Sequence, residues 1–228
     1  MIKAVKFNQR ELVFELEDEA DFSVFSEIFI EKEYRCVEEL IKNARDFVID
    51  VGAHKGLFSS YVRALNEAVP VLAFEPDEKN FSYLKKNLAK NHINGVRAKS
   101  LAVAGQSGRR KFSLSADSHN HSLVEDFGEA VGEKMVECTT LEEVFRKNGV
   151  EKCSLLKIDC EGAEFEILEV LGAEIFRKVQ AFYVEYHQFT PEMQATLLVR
   201  IFERNGFKVQ ARPSPYDKRF GFILAKRT

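Results

Sequence analysis

From Phe47 onward, short apolar runs alternate with amphipathic stretches, the pattern of parallel strands joined by crossover helices. Phe47 to Val51 reads as a first strand, followed by the turn Gly52 to Gly56 and a helix with Phe58, Tyr61, Val62 and Leu65 on one face. Val71 to Phe74 is the second strand. Pro76 and Asp77 then open a helix with Phe81, Leu84 and Leu88 at helical spacing, closed by the polar turn Asn91 to Gly95. Val96 to Val103 reads as a third strand. Thr140 followed by Glu143 predicts a capping box for a short helix that Gly149 ends, and Ser154 to Ile158 is a fourth strand. Gly162 to Leu171 reads as helix and Ala181 to Tyr186 as a fifth strand. Thr190 and Pro191 are placed to cap a helix with Leu197, Leu198, Ile201 and Phe202 inward and Gly206 beyond its end. Phe207 to Ala211 and Phe220 to Ala225, joined by Pro213 to Asp217, form a closing hairpin, so the pattern predicts an α/β sheet of about seven strands.

Residues 1–44 break this rhythm. They predict a hairpin from Val5 to Leu16 and a helical stretch from Asp21 to about Ala44, either a structural cap or a lid over a ligand. At 228 residues the chain fits one large domain over 45–228 with this N-terminal appendage. A formal charge of -3, with Lys and Arg scattered among Asp and Glu, gives no reason to expect nucleic acid as a partner. The start MIKAVKFNQREL lacks the apolar centre of a signal peptide, and no segment is long and apolar enough to cross a bilayer, so no membrane and a cytoplasmic location are expected. Cys36, Cys138, Cys153 and Cys160 have no C-x-x-C spacing, which predicts reduced thiols rather than disulfides or zinc.

Ligands of an open parallel sheet bind beyond the carboxyl ends of its strands. Four strands here end in or near an acid: Asp50, Glu75, Asp159 and Glu185. The turn Asp50-Val51-Gly52-Ala53-His54-Lys55-Gly56 joins strand to helix, and Gly52 and Gly56 let backbone approach a ligand. A dinucleotide fingerprint wants a middle glycine where His54 stands, which disfavours pyrophosphate. A smaller zwitterion such as a methionine tail fits better, with exposed amides taking its carboxylate and Asp50 its ammonium. Glu75, followed by Pro76 at the tip of the second strand, is placed to accept hydrogen bonds from both hydroxyls of a ribose. The alternative is that Glu75 only favours the dipole of the following helix.

Lys157 and Asp159 are two apart, as are Glu185 and His187, so two neighbouring strands bring four ionisable side chains to one rim. A lysine inside an apolar strand must find a partner, and a purely structural pair is the competing reading.

Phe47-Val48-Ile49-Asp50-Val51-Gly52-Ala53-His54-Lys55-Gly56, Phe74-Glu75-Pro76, Thr140-Leu141-Glu142 and Leu156-Lys157-Ile158-Asp159-Cys160-Glu161-Gly162-Ala163-Glu164 together resemble the FkbM-type methyltransferases. The likeness runs from about residue 45 to 187. The resemblance implies a class I methyltransferase, Rossmann-like sheet with a reversed final strand, S-adenosyl-L-methionine over the first two strands, and O-methylation of a sugar or natural-product hydroxyl. His54 stands where such proteins usually carry Asn, and Glu142 where they commonly carry Asp.

For an alcohol acceptor the candidate general bases are His187 and Asp159, with Lys157 and Glu185 orienting them and a small-molecule hydroxyl as partner. His119 and His121, in a polar loop, read as solvent-facing rather than as metal ligands, and the loop as a lining of the acceptor entrance; no metal is expected. Arg109, Arg110 and Lys111 read as a solvated hairpin edge. The rival readings are an N-methyltransferase, against which Asp159-Cys160-Glu161-Gly162 stands where an Asp/Asn-Pro-Pro motif would be, and a non-catalytic module that binds an adenosine ligand.

Overall fold

A computed structural model describes residues 1–115, 121–123, 130–215 and 217–227. The N-terminal segment forms the hairpin β1 (Ile2–Phe7) and β2 (Arg10–Glu15), helix α1 (Glu19–Phe29), a 3-10 turn (Glu33–Val37) and α2 (Glu38–Lys42). The helix expected as far as Ala44 is interrupted at Lys32, whose left-handed backbone (φ 59°) turns the chain before the 3-10 segment. Then follow β3 (Phe47–Val51), α3 (Leu57–Leu65), β4 (Val71–Phe74), α4 (Glu78–Lys90) and β5 (Val96–Lys99). After these come β6 (Ala102–Val103), β7 (Gly108–Ser115), β8 (Ala130–Thr139), α5 (Leu141–Asn148), β9 (Cys153–Ile158), α6 (Glu164–Val170) and α7 (Ala173–Lys178). The chain closes with β10 (Ala181–His187), α8 (Ala195–Arg204), β11 (Phe207–Pro213) and β12 (Phe220–Arg227).

Seven strands make one sheet in the order β11-β12-β10-β9-β3-β4-β5. The strands from β10 to β5 are parallel, and β12 is antiparallel to both β10 and β11, so the closing hairpin reverses the sheet as the sequence implies. This is the class I methyltransferase, Rossmann-like arrangement. β9, buried at all six positions, lies at its centre. From β3 the chain winds outward to β4 and β5, then returns to β9 on the other side. The order therefore reverses between β3 and β9, where a crevice opens at the carboxyl ends of the strands.

The strands alternate their faces. Ile49, Val51, Leu156, Ile158, Phe182 and Val184 pack with Phe145, Leu168, Phe176 and Phe202 on one side of the sheet. Val48, Leu155, Ala181 and Tyr183 pack with Phe58, Tyr61, Phe29, Phe14 and Leu12 on the other, so the N-terminal segment and the main sheet share a core. Phe7 stacks on Tyr61 with ring centroids 4.6 Å apart, and Tyr34 meets Tyr183 at 5.0 Å. Among the described residues no helix is long and apolar enough to cross a membrane.

Four further elements differ from the sequence expectation. Val96 to Val103 is not one strand: β5 ends at Lys99, and β6 joins a separate three-stranded sheet, β6-β8-β7. The apolar run Leu101-Ala102-Val103 hides this change of partner, because hydrophobicity marks a buried strand and not its neighbour. The β7–β8 pair was read only as a hairpin edge, and there Arg109 meets Glu137, Lys111 meets Glu133, and Arg110 reaches Glu166 at 2.6 Å. Helix α7 was missed beyond Gly172. Helix α8 starts at Ala195 rather than at Pro191, because the side chain of Gln188 accepts the Ala195 N–H at 2.8 Å and takes over the capping.

Thr140 caps α5 as predicted, accepting the N–H of Glu143, while the Glu143 carboxylate turns to Thr139 Oγ1 at 2.9 Å. Thr140→Ala is expected to cost about 1 kcal/mol, and a thermal melt should show a drop of roughly 2–4 °C.

Candidate active site

At the switch point lies a cavity of about 330 Å³. Its walls include Gly52, His54, Glu75, Pro76, Asp159, Glu161, Glu185, His187 and Phe220, with Val24, Glu27, Ile28, Glu33 and Tyr34 from the N-terminal segment. Residues 1–44 thus form one wall of the site.

The floor is the turn after β3. Gly52 has φ +74°, and a Cβ there would sit 1.7 Å from the Asp159 carbonyl oxygen, so two strand ends touch at a point that admits only glycine. The Gly52 and Ala53 N–H groups both donate to Phe74 O, the His54 N–H donates to Glu75 Oε2 at 2.8 Å, and the Gly56 N–H donates to Ala53 O. These amides were expected to bind a ligand carboxylate. The structure instead uses those of Gly52 and Ala53 to lock the turn onto β4, that of His54 to hold the Glu75 carboxylate and that of Gly56 within the turn itself.

Glu75 is 5% exposed. Its Oε2 accepts from His54 N and its Oε1 from Asp77 N, both at 2.8 Å, which fixes the carboxylate on the cavity wall. Burial pushes its pKa up to about 7 against these two hydrogen bonds. The N–H donor that aims Glu75 comes from His54, itself at φ +48°. The imidazole Nε2 of His54 lies 3.4 Å from Asp21 Oδ1 on α1, and Lys55, wholly buried, bonds Asp21 Oδ2. The buried Asp21, read from the sequence only as the start of a helix, therefore ties the N-terminal segment to the turn.

Lys157 lies beneath the cavity rather than on its wall. Its Nζ donates to Gly52 O at 2.8 Å and lies 3.1 Å from Asp159 Oδ2 and 3.4 Å from Asp50 Oδ1. Burial alone would depress this ammonium, but the carboxylates of Asp159 and Asp50 hold it above its ordinary value. Asp50 is fully buried, accepts from Ser59 Oγ at 2.7 Å, and with Gly56 lies off the cavity wall. Lys157→Met would leave Asp50 without its cation, and urea denaturation should register a loss of about 3–5 kcal/mol.

β9 and β10 converge their ends as the spacing predicted. His187 is 4% exposed; its Nδ1 is hydrogen-bonded to Glu164 Oε1, and its Nε2 lies 3.5 Å from Glu161 Oε2 and 3.9 Å from Glu185 Oε1. Phe189 and Phe220 flank the ring at 5.6 and 5.4 Å. Although burial opposes its charge, Glu161 and Glu164 raise the His187 pKa above the ordinary imidazole range. Burial would also raise Asp159, but Lys157 and His187 overcome it and keep that carboxylate ionised. Burial lifts Glu161 to about 8, and burial with the neighbouring Glu27 and Asp159 lifts Glu33 to about 8.

Sequence reasoning passed over Glu161, Glu164, Glu33 and Tyr34. The first two stand inside the block that carried the family likeness, where spacing marked them: Glu161 two residues after Asp159, Glu164 at the start of α6. Glu33 and Tyr34 had no signal, because only the tertiary fold brings them to the rim. His121 lines the cavity, its Nδ1 accepting from Ser115 N at 3.0 Å; His119, with the rest of 116–120, lies outside the described residues.

Comparison with known proteins agrees with this geometry. Residues 50–209 match the family described as the methyltransferase FkbM domain. The methyltransferase sdnD of Sordaria araneosa is 28% identical, over 92% of this chain and 90% of its own. The 31-O-demethyl-FK506 methyltransferase FkbM of Streptomyces tacrolimicus is 25% identical, over 86% and 85%. A crystal structure of an FkbM methyltransferase from Methylobacillus flagellatus superposes with a TM-score of 0.54 at 13% identity, over 92% of this chain and 55% of that one. A sheet that reverses beside β3, a glycine turn locked to β4 and a domain match over residues 50–209 converge on one assignment: the chain belongs to the FkbM methyltransferase family and is an S-adenosylmethionine-dependent methyltransferase.

Proposed function

We propose that this methyltransferase transfers the methyl group of S-adenosylmethionine to the hydroxyl of a sugar or small natural product. The observation that carries the cofactor's placement is Glu75, which lines the cavity beside the Gly52 turn with its carboxylate fixed by two backbone amides. A ribose held there by both hydroxyls would set the nucleoside over β3 and β4. Its sulfonium would then lie toward Asp159, whose ionised carboxylate suits a positive charge.

Methyl transfer is an in-line displacement: a lone pair of the acceptor oxygen attacks the methyl carbon, and the C–S bond leaves its electron pair on sulfur. The oxygen becomes strongly acidic as the bond forms, so a weak base suffices to take its proton. The sequence favoured His187 for this role. With His187 Nδ1 taken by Glu164, the geometry favours Asp159 instead, on the cavity wall and kept ionised by Lys157 and His187. Hydroxyl over amine is supported by the Streptomyces relative, whose name records an O-demethyl substrate.

The test combines calorimetry and turnover. S-adenosylmethionine and S-adenosylhomocysteine should bind with micromolar affinity, about 8 kcal/mol, and NADH not at all. With methyl-labelled cofactor and a panel of sugars, small alcohols and amines, label should enter ethers. Label in amines, or NADH binding, overturns the proposal.

A further inference from the structure

Asp159, Glu161, Glu164 and Glu185 surround His187 at the acceptor side of the cavity, and Lys157 lies beside Asp159. Three of these groups come together as a chelating set: Asp159, Glu161 and His187 each place one donor atom within 4.8 Å of the other two. Bonds of about 2.0–2.6 Å to a divalent ion put two of its ligands roughly 3–5 Å apart, so the set already has the right span.

The histidine supplies the independent observation. It is nine-tenths buried, and its Nδ1 side is taken by Glu164, the carboxylate–histidine pairing that fixes a ligand ring and aims its other nitrogen. That other nitrogen, Nε2, lies 3.5 Å from Glu161 and 3.9 Å from Glu185, which line the cavity with it. The turn that carries Glu161 is itself fastened, since Ser122 Oγ donates to the Glu161 carbonyl.

We propose that Asp159, Glu161 and His187 form a divalent-cation site of the Mg²⁺ or Mn²⁺ class. Two carboxylates with one imidazole and room for water suit such an ion, and Glu185 stays beside it, outside the set. An ion there faces the space where the acceptor enters, and would hold the acceptor hydroxyl and polarise it. The binding site stands on its own residues; only this role rests on the methyl-transfer reading above.

The test is Mn²⁺ binding, followed by electron paramagnetic resonance and calorimetry on the whole chain, with and without S-adenosylhomocysteine. The expected result is one Mn²⁺ per chain, displaced by excess Mg²⁺. Affinity should fall at least tenfold in Glu161→Gln and in His187→Asn, and stay unchanged in Glu133→Gln, a carboxylate on β8. Retained S-adenosylhomocysteine binding and an unchanged melting profile show that each variant is folded. No bound Mn²⁺, or Mn²⁺ binding that survives both substitutions, overturns the site. Failure of S-adenosylhomocysteine to bind while Mn²⁺ still does would count against the cofactor placement alone.

Discussion

Replacing Glu75 by alanine is expected to weaken S-adenosylhomocysteine binding by about 10²–10⁴-fold, since each of two hydrogen bonds to a charged carboxylate contributes about 1.5–3 kcal/mol. The loss also frees the His54 and Asp77 amides, which now aim that carboxylate. Glu75→Gln separates the two effects: it keeps the shape and one acceptor, and should lose less affinity than alanine while melting like the wild type. The dependence on pH has a definite sign. Burial raises Glu75 to about 7, and the ionised form is the better acceptor of two ribose hydroxyls. Affinity should therefore climb as pH rises through about 7 and level off above it, and that step should vanish in Glu75→Gln. Calorimetry between pH 6 and 8.5 reads all three quantities.

Gly52→Ala should have a still larger effect, on the fold itself. Its Cβ would fall 1.7 Å from the Asp159 carbonyl oxygen, a backbone atom that no rotamer change can move aside. The left-handed backbone adds about 1–2 kcal/mol of strain for any L side chain. Relief requires that β3 and β9 part at their carboxyl ends, which pulls Lys157 from Gly52 O and Asp159 from its N–H bond to Val51 O. A loss above about 4 kcal/mol is expected, so circular dichroism should show a chain that melts far below the wild type or does not fold. Ordinary stability with intact cofactor binding would refute the tight contact of the two strand ends.

The main sheet was legible because each of its buried strands is a short apolar run bounded by a turn signal, as Phe47 to Val51 and Ala181 to His187 show. What escaped was partnership. Ala102 and Val103 are as apolar as a core strand, yet they pair with β8 outside the main sheet, and nothing in the local pattern says so. The site divided in the same way. Glu75, Asp159, Glu185 and His187 were readable because strand ends have a fixed place in such a sheet, and the structure brings all four to one cavity. Glu33, Tyr34 and Asp21 were not, since their positions depend on how a separate segment docks. The amides of the Gly52 turn were misjudged for a related reason: sequence reveals that a turn is tight, but not which carbonyl its N–H groups already serve. His54 belongs to both accounts. Its side chain replaces a glycine that would admit pyrophosphate, and it anchors Asp21, a link visible only in three dimensions.

The most direct measurement is a crystal structure of the chain with S-adenosylhomocysteine. Both ribose hydroxyls should lie within hydrogen-bond distance of the Glu75 carboxylate, with the thioether sulfur turned toward Asp159. A ligand bound elsewhere, or a ribose that leaves Glu75 untouched, would contradict the account.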